Sequence, residues 1–100
     1  MTSTRADWQV ATDVVDAALV TYARKPSDRD IADLTRQLLH LGGLLLPNVA
    51  QLPGSTATVA DWESLKTAGP SDGPLGTWTH ARGLARTVRR MLQLLDADAR

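Results

Sequence analysis

The stretch of sequence that decides the fold is residues 34–52, LTRQLLHLGGLLLPNVAQL. Its leucines recur at intervals of three and four residues, which places them on one face of an α-helix. Upstream of it, Ser27 is followed three residues later by Asp30, a pattern typical of a helix N-cap. The sequence therefore predicts a helix over residues 28–52. We expect a kink at Pro47, because proline has no N–H to donate to the carbonyl of Gly43.

Two other interpretations of this apolar stretch are disfavoured. No charged residue lies between Arg36 and Asp61, as in a membrane span. A span needs about 20 predominantly apolar residues, whereas this window also contains His40, Asn48, Gln51 and two prolines. Gly42 and Gly43 lie inside a helical pattern, not in the strand-to-helix loop that binds cofactor phosphates. We therefore predict that this helix is either the centre of the domain or part of an oligomer interface.

The rest of the chain is also helical in its periodicity, and its β-branched residues do not alternate with a period of two. Further helices are predicted over residues 5–25, 58–67 and 77–96, with a loop at 69–76. The first helix should stop before Pro26, because the residue preceding a proline disfavours helical geometry. The sequence thus predicts a single all-α domain over residues 1–100, a bundle of three long helices and one short helix. We expect the first two helices to form an αα-hairpin with a tight Lys-Pro-Ser connection.

Composition narrows the possible functions. The chain has 100 residues, of which 43% are apolar and 22% charged, and its formal net charge is zero. Residues 1–76 carry six basic and nine acidic groups, whereas residues 77–100 carry five arginines and two aspartates. Cysteine is absent, so disulfides and thiolate metal sites are excluded, and a cytoplasmic location is expected. The first residues lack the apolar segment of a secretory signal.

No set of residues indicates catalysis. The two histidines lie forty positions apart, and no Glu-x-x-His pattern accompanies them, so neither a metal site nor a cofactor is expected. His40 belongs to the polar side of its helix, and His80 should reach solvent at the start of the last helix. The acids Asp28, Asp30 and Asp33 could bind a cation, but stabilisation of the helix N-terminus explains them better. We predict that the protein is not an enzyme.

The last helix carries a stripe of arginines beside its apolar seam. At 100° per residue, four side chains fall within an arc of roughly 100°. They are Arg82, Arg86, Arg89 and Arg90. This arginine stripe could bind phosphates of nucleic acid, contact an acidic surface of another protein, or simply be solvated. A helix-turn-helix is a poor match, because the linker before this helix is longer than the usual three or four residues.

The apolar strips of the first two helices are wider than a small bundle needs, which indicates a homo-oligomer, most simply a two-fold dimer. Six residues are predicted to be partly exposed in the monomer and to form the oligomer surface. They are Val10, Val14, Ala17, Leu39, Leu44 and Leu46. A pocket for a small molecule between Trp8, Trp62 and Trp78 is a further possibility, although tryptophans are more often core anchors.

The segment LLLPNVAQL at residues 44–52, together with THARGLARTVRRML at 79–92, resembles a family of short actinomycete proteins of unknown function. In that family a Leu-Ile-Pro-Glu-Val-like segment precedes a terminal helix rich in alanine and arginine, and some members carry a label linking them to natural-product biosynthesis. Asn48 stands where the family has an acidic residue, and the helical segment from Val59 to Leu65 is an addition to the pattern. The resemblance covers residues 10–95 and implies an α-helical fold, but no activity. From the residues themselves, the preferred function is a non-catalytic interaction or regulatory protein, and the alternative is a DNA-associated protein.

Overall fold

The part of the chain that the structure describes forms four α-helices. The computed structural model describes residues 4–73 and 75–99, with side chains from Trp8 onward. The helices are α1 (Thr4–Ala18), α2 (Asp28–Val49), α3 (Thr56–Ala68) and α4 (Gly76–Ala99), and a 3-10 helix (Tyr22–Arg24) precedes α2. The described ranges contain no strand. The predicted all-α bundle of three long helices and one short helix is confirmed.

Helices α2 and α4 form the centre of the bundle. Each of them contacts all three other helices, and their contact with one another is the most extensive. The buried side of α4 alternates small and large residues, so that Ala81 and Ala85 let the helices approach while larger side chains fill the space between them. The larger buried side chains of α4 are Trp78, Leu84, Val88 and Met91.

The first helix ends seven residues earlier than predicted. The sequence predicts a helix to residue 25, but α1 ends at Ala18. Two backbone carbonyls near this end, those of Ala18 and Val20, accept hydrogen bonds from Arg82 Nη1 of α4 at 3.3 and 2.6 Å. A charged donor that satisfies carbonyls beyond the last turn removes the need for further helical hydrogen bonds. Residues 19–27 therefore connect α1 to α2 through the 3-10 helix, and the predicted tight Lys-Pro-Ser connection is wrong, although the two helices do contact one another.

The second helix begins as predicted and ends early. The Oγ of Ser27 accepts a hydrogen bond from the backbone N–H of Asp30 at 3.2 Å, which caps α2. Pro47 lies inside the helix, which continues to Val49, three residues short of the predicted end. Gly43 is exposed, so water can reach the carbonyl that would have bonded to an N–H at residue 47.

The other two helices are longer than predicted. Helix α3 covers Thr56–Ala68 instead of 58–67, and α4 covers Gly76–Ala99 instead of 77–96. The loop before α4 therefore ends one residue earlier than predicted, and its Pro74 lies outside the described residues.

Trp62 of α3 is almost completely buried, and its ring packs over Gly42 of α2. This contact anchors the short helix to the centre of the bundle.

Candidate interaction surface

An apolar groove lies between α1 and α2. Val10 is 55% exposed and Leu44 is 61% exposed, and both of these aliphatic side chains line this groove. Its volume is about 410 Å³. The groove is lined by Trp8, Val10, Ala11, His40, Leu41, Leu44, Leu45 and Leu92. A concave apolar surface at the junction of three helices is suited to binding an apolar surface of another molecule.

One polar side chain, that of His40, lines the apolar groove. The sequence places His40 on the polar side of α2, next to Asp33 and Arg36. In the structure these two residues pair with one another, since Arg36 Nη2 lies 2.7 Å from Asp33 Oδ1. His40 is exposed. It can therefore offer a ring nitrogen to a partner at the edge of an otherwise apolar contact.

The structure divides the six residues of the predicted oligomer surface. Val10 and Leu44 lie together in the apolar groove. Ala17 is exposed beside a separate depression, and Leu39 and Leu46 are partly buried against the main core. Val14 was predicted to face solvent, and this is wrong. It is only 8% exposed, because it points between α1 and the central helices and belongs to the core.

A second groove, which we call the rim groove, lies beside the apolar groove between α1 and α4. Its volume is about 240 Å³. The rim groove is lined by Trp8, Thr12, Val15, Asp16, Arg89, Leu92, Gln93 and Asp96. The two grooves share Trp8 and Leu92, so they form one continuous surface. That surface is apolar at one end and carries both signs of charge at the other.

The four arginines of the predicted stripe have different environments. Arg82 is partly buried, donates to the carbonyls near the end of α1, and lies with its guanidinium carbon 4.9 Å from the centre of the Trp78 ring. Arg90 Nη1 lies 3.1 Å from Asp61 Oδ2 of α3. Arg86 and Arg89 are exposed, and neither forms an ion pair with another described residue. The arginine stripe is therefore not a uniform cationic surface.

The three tryptophans do not form a common pocket. Trp8 lines both grooves, Trp62 belongs to the main core, and Trp78 belongs to a smaller cluster with Ile31 and Ala81. The ring of Trp78 also meets Tyr22 edge-on, at 5.7 Å between centroids. A pocket between the tryptophans is therefore not part of this fold.

His80 was predicted to reach solvent, and this is wrong. The residue is buried near the start of α4, and burial lowers the pKa of His80 below its ordinary value.

Across residues 4–73 and 75–99, no three histidine, aspartate or glutamate side chains come together in a way that could hold a metal ion. In the same part of the chain, no helix has the length and apolar character needed to cross a membrane.

Comparison with known proteins places the chain in a family. A family model described as "Family of unknown function (DUF6415)" matches residues 10–100. The chain belongs to this family. No curated protein and no solved structure matches it. For DUF6415 the description gives no activity, so a function for this member must be argued from its own surfaces.

The predicted resemblance to a family of unknown function is confirmed by the DUF6415 match. The match includes all of α2, α3 and α4 and the part of α1 from Val10 onward. The contact between Gly42 and Trp62 lies within the matched residues, and so does the apolar groove apart from Trp8. The actinomycete origin stays a prediction from the sequence.

Sequence reasoning missed several residues of the combined surface in this DUF6415 member. The sequence does not predict that Trp8, Leu41, Leu45 and Leu92 share a surface, or that Asp16 lies beside it. Their arrangement depends on how far apart α1 and α2 lie at this end of the bundle, which periodicity does not report. A usable signal was the unusual position of Val10, since it lies outside the main apolar face of α1.

Proposed function

We propose that this protein is a non-catalytic helical interaction or regulatory protein that self-associates through the apolar groove. The observation that carries the proposal is the placement of Val10 and Leu44, two strongly exposed aliphatic side chains, in the same groove. Monomeric proteins rarely leave such side chains clustered, because burying them in a contact is favourable. A cytoplasmic location is part of the proposal and rests on the absence of cysteine.

The dimerisation free energy contributed by Val10 and Leu44 determines how large a change in affinity an experiment must detect. Full burial of an exposed valine or leucine side chain contributes about 1.5–3 kcal/mol. Because the rest of the chain already covers part of Val10 and Leu44, each side chain contributes about 1 kcal/mol to the free energy of dimerisation when the contact buries it. A two-fold dimer uses each residue twice, so Leu44→Gln should weaken self-association by about tenfold to thirtyfold.

Sedimentation equilibrium from about 1 µM to about 1 mM protein tests the proposal. The unmodified chain should show a monomer–dimer equilibrium, and Leu44→Gln should shift it to monomer. Leu75→Gln is the matched control, because Leu75 is 41% exposed but lies outside both grooves. The proposal would be contradicted if the unmodified chain stayed monomeric throughout this range. It would also be contradicted if the control variant dimerised as weakly as Leu44→Gln.

The alternative function, association with DNA through the arginine stripe, has less support. Arg82 and Arg90 already bind groups of the protein itself. Arg89 shares the rim groove with Asp16, and a carboxylate repels the phosphate backbone of DNA. A surface of mixed charge favours a protein partner over a polyanion.

A further inference from the structure

We propose that two copies of this chain meet through a two-fold contact in which Arg89 of each copy pairs with the partner's Asp16. This inference rests on the proposed self-association and adds to it the orientation of the two copies and the residues that specify it. It starts from the rim groove, which borders the apolar groove and shares Trp8 and Leu92 with it. An apolar centre with a polar rim is the usual composition of a protein–protein interface.

The two charged residues lie on opposite walls of the rim groove. Asp16 belongs to α1, and Arg89 belongs to α4. Both side chains are exposed, and they do not form an ion pair with one another. Each copy therefore presents one negative and one positive group, separated by the width of the groove, to whatever covers it.

A two-fold axis places each wall of the groove in one copy against the other wall of the groove in its partner. In an isologous contact, residue i of one copy meets residue j of the other, and j meets i. If the axis runs along both grooves past Trp8 and Leu92, the α1 wall of one copy faces the opposite wall of its partner. Arg89 then faces the partner's Asp16, and Val10 faces the partner's Leu44. Apolar and charged groups are matched at the same time.

Charge complementarity identifies the occupant as a second copy. A partner with only basic groups would repel Arg89, and a partner with only acidic groups would repel Asp16, and both residues line the rim groove. The chain as a whole has a formal net charge of zero, so two copies do not repel one another at long range. Its own surface supplies the complementary pattern of charges.

Charge reversal in mixed dimers tests the inference. In Arg89→Asp, both symmetry-related contacts place two acids together, and in Asp16→Arg both place two arginines together. Each variant alone should dimerise at least about tenfold more weakly than the unmodified chain. In an equimolar mixture of the two, each contact again joins an acid to an arginine, so a heterodimer should form with nearly the original affinity.

The readout is sedimentation equilibrium of each variant and of the mixture, with one partner carrying a fluorescent label. The control mixture is Arg24→Asp with Asp72→Arg, which makes the same changes of charge at exposed residues outside both grooves. Its homodimers should keep the original affinity, and mixing should change nothing. The Arg89–Asp16 effect should also shrink at about 1 M salt, where screening is strong.

The outcomes separate this inference from the proposed function. Preferential heterodimers in the charge-reversal mixture support the inference. Unchanged homodimers of Arg89→Asp overturn it while leaving self-association through Leu44 intact. Homodimers that weaken but are not restored by mixing overturn it too, because that pattern means that Arg89 and Asp16 do not face one another across the contact. An unmodified chain that is monomeric overturns the inference and the proposed function together.

Discussion

The indole ring of Trp62 lies directly over Gly42, at the place where the side chain of any other residue would begin. A Cβ atom at residue 42 would overlap three carbons of this buried ring. Gly43, the next residue, has open space at the same point. The two glycines of α2 therefore have different consequences. Gly42 allows α3 to pack closely on α2, whereas Gly43 only lowers the intrinsic stability of the helix.

We expect opposite effects from alanine at these two neighbouring positions. Gly42→Ala should lower the free energy of unfolding by about 1–3 kcal/mol or more, because Trp62 must move within a packed core. Gly43→Ala should raise it by up to about 1 kcal/mol, because alanine favours the helix and meets no other atom. Urea denaturation followed by far-UV circular dichroism measures both changes. Equal changes in the two variants would contradict the proposed packing.

Trp62→Leu shows whether the ring is the cause. On its own this substitution should destabilise the protein, because it leaves a cavity in the main core. Combined with Gly42→Ala, it should cost less than the sum of the two single changes, since the smaller leucine leaves room for the added methyl group. A double-mutant cycle in the same denaturation assay measures this coupling. Strict additivity would mean that the alanine methyl does not meet Trp62.

A second prediction concerns the guanidinium of Arg82. It donates to the Val20 carbonyl at 2.6 Å and lies over Trp78, so Arg82→Gln loses charged hydrogen bonds and a cation–π contact. The free energy of unfolding should fall by about 1–3 kcal/mol. Arg86→Gln, an exposed change on the same helix, should stay within about 0.5 kcal/mol of the original. Urea denaturation measures the free energy of unfolding of both variants. Equal values for Arg82→Gln and Arg86→Gln would contradict the stabilising role of Arg82.

The features that could be predicted from the sequence are those set by neighbouring residues. The N-cap of α2 needs only Ser27 and the N–H of Asp30, three residues away. The buried seam of α4 follows from a repeat within one helix. The end of α1 depends instead on Arg82, more than sixty residues along the chain, and no local pattern reports that contact.

The candidate site was only partly predictable for the same reason. The exposure of Val10 and Leu44 follows from their positions outside the main apolar faces of α1 and α2, but their meeting in one groove depends on how the two helices pack. Periodicity also placed His80 in solvent, because the start of a helix is usually exposed. The structure buries it. Tertiary packing thus decided which residues share a surface.

The buried imidazole of His80 leads to a third prediction, on pH. Burial lowers the pKa of His80 below its ordinary value of 6.5. Well above pH 6.5 the ring is neutral in both the folded and the unfolded chain, so it adds no pH dependence. As the pH falls below 6.5, the unfolded chain binds a proton that the folded protein does not. The free energy of unfolding must therefore fall in this range, by at most about 1.4 kcal/mol per pH unit.

Urea denaturation at about pH 7.5, 6.5 and 5.5 measures this slope, at pH values above those where most carboxylates titrate. His80→Gln should remove the contribution and make the stability flatter over the interval. The control is Thr79→Gln, a change at an exposed neighbour that does not titrate, and it should leave the slope unchanged. If stability rose as the pH fell, His80 would be protonated in the folded protein and its burial would have the opposite effect.

The last prediction addresses DNA. Because Arg82 and Arg90 are engaged within the protein and Arg89 shares the rim groove with Asp16, few arginines are left to neutralise phosphates. Fluorescence anisotropy of a labelled mixed-sequence duplex should show no saturable binding at about 200 mM salt, and at most a shallow salt dependence at about 50 mM.

The matched variants are Arg86→Ala on the arginine stripe and Arg36→Ala on α2, which should behave alike. Micromolar binding that weakens steeply with salt and is lost only in Arg86→Ala would instead establish DNA association as the function of α4. Self-association would then have to be tested as a means of placing two such helices on one duplex.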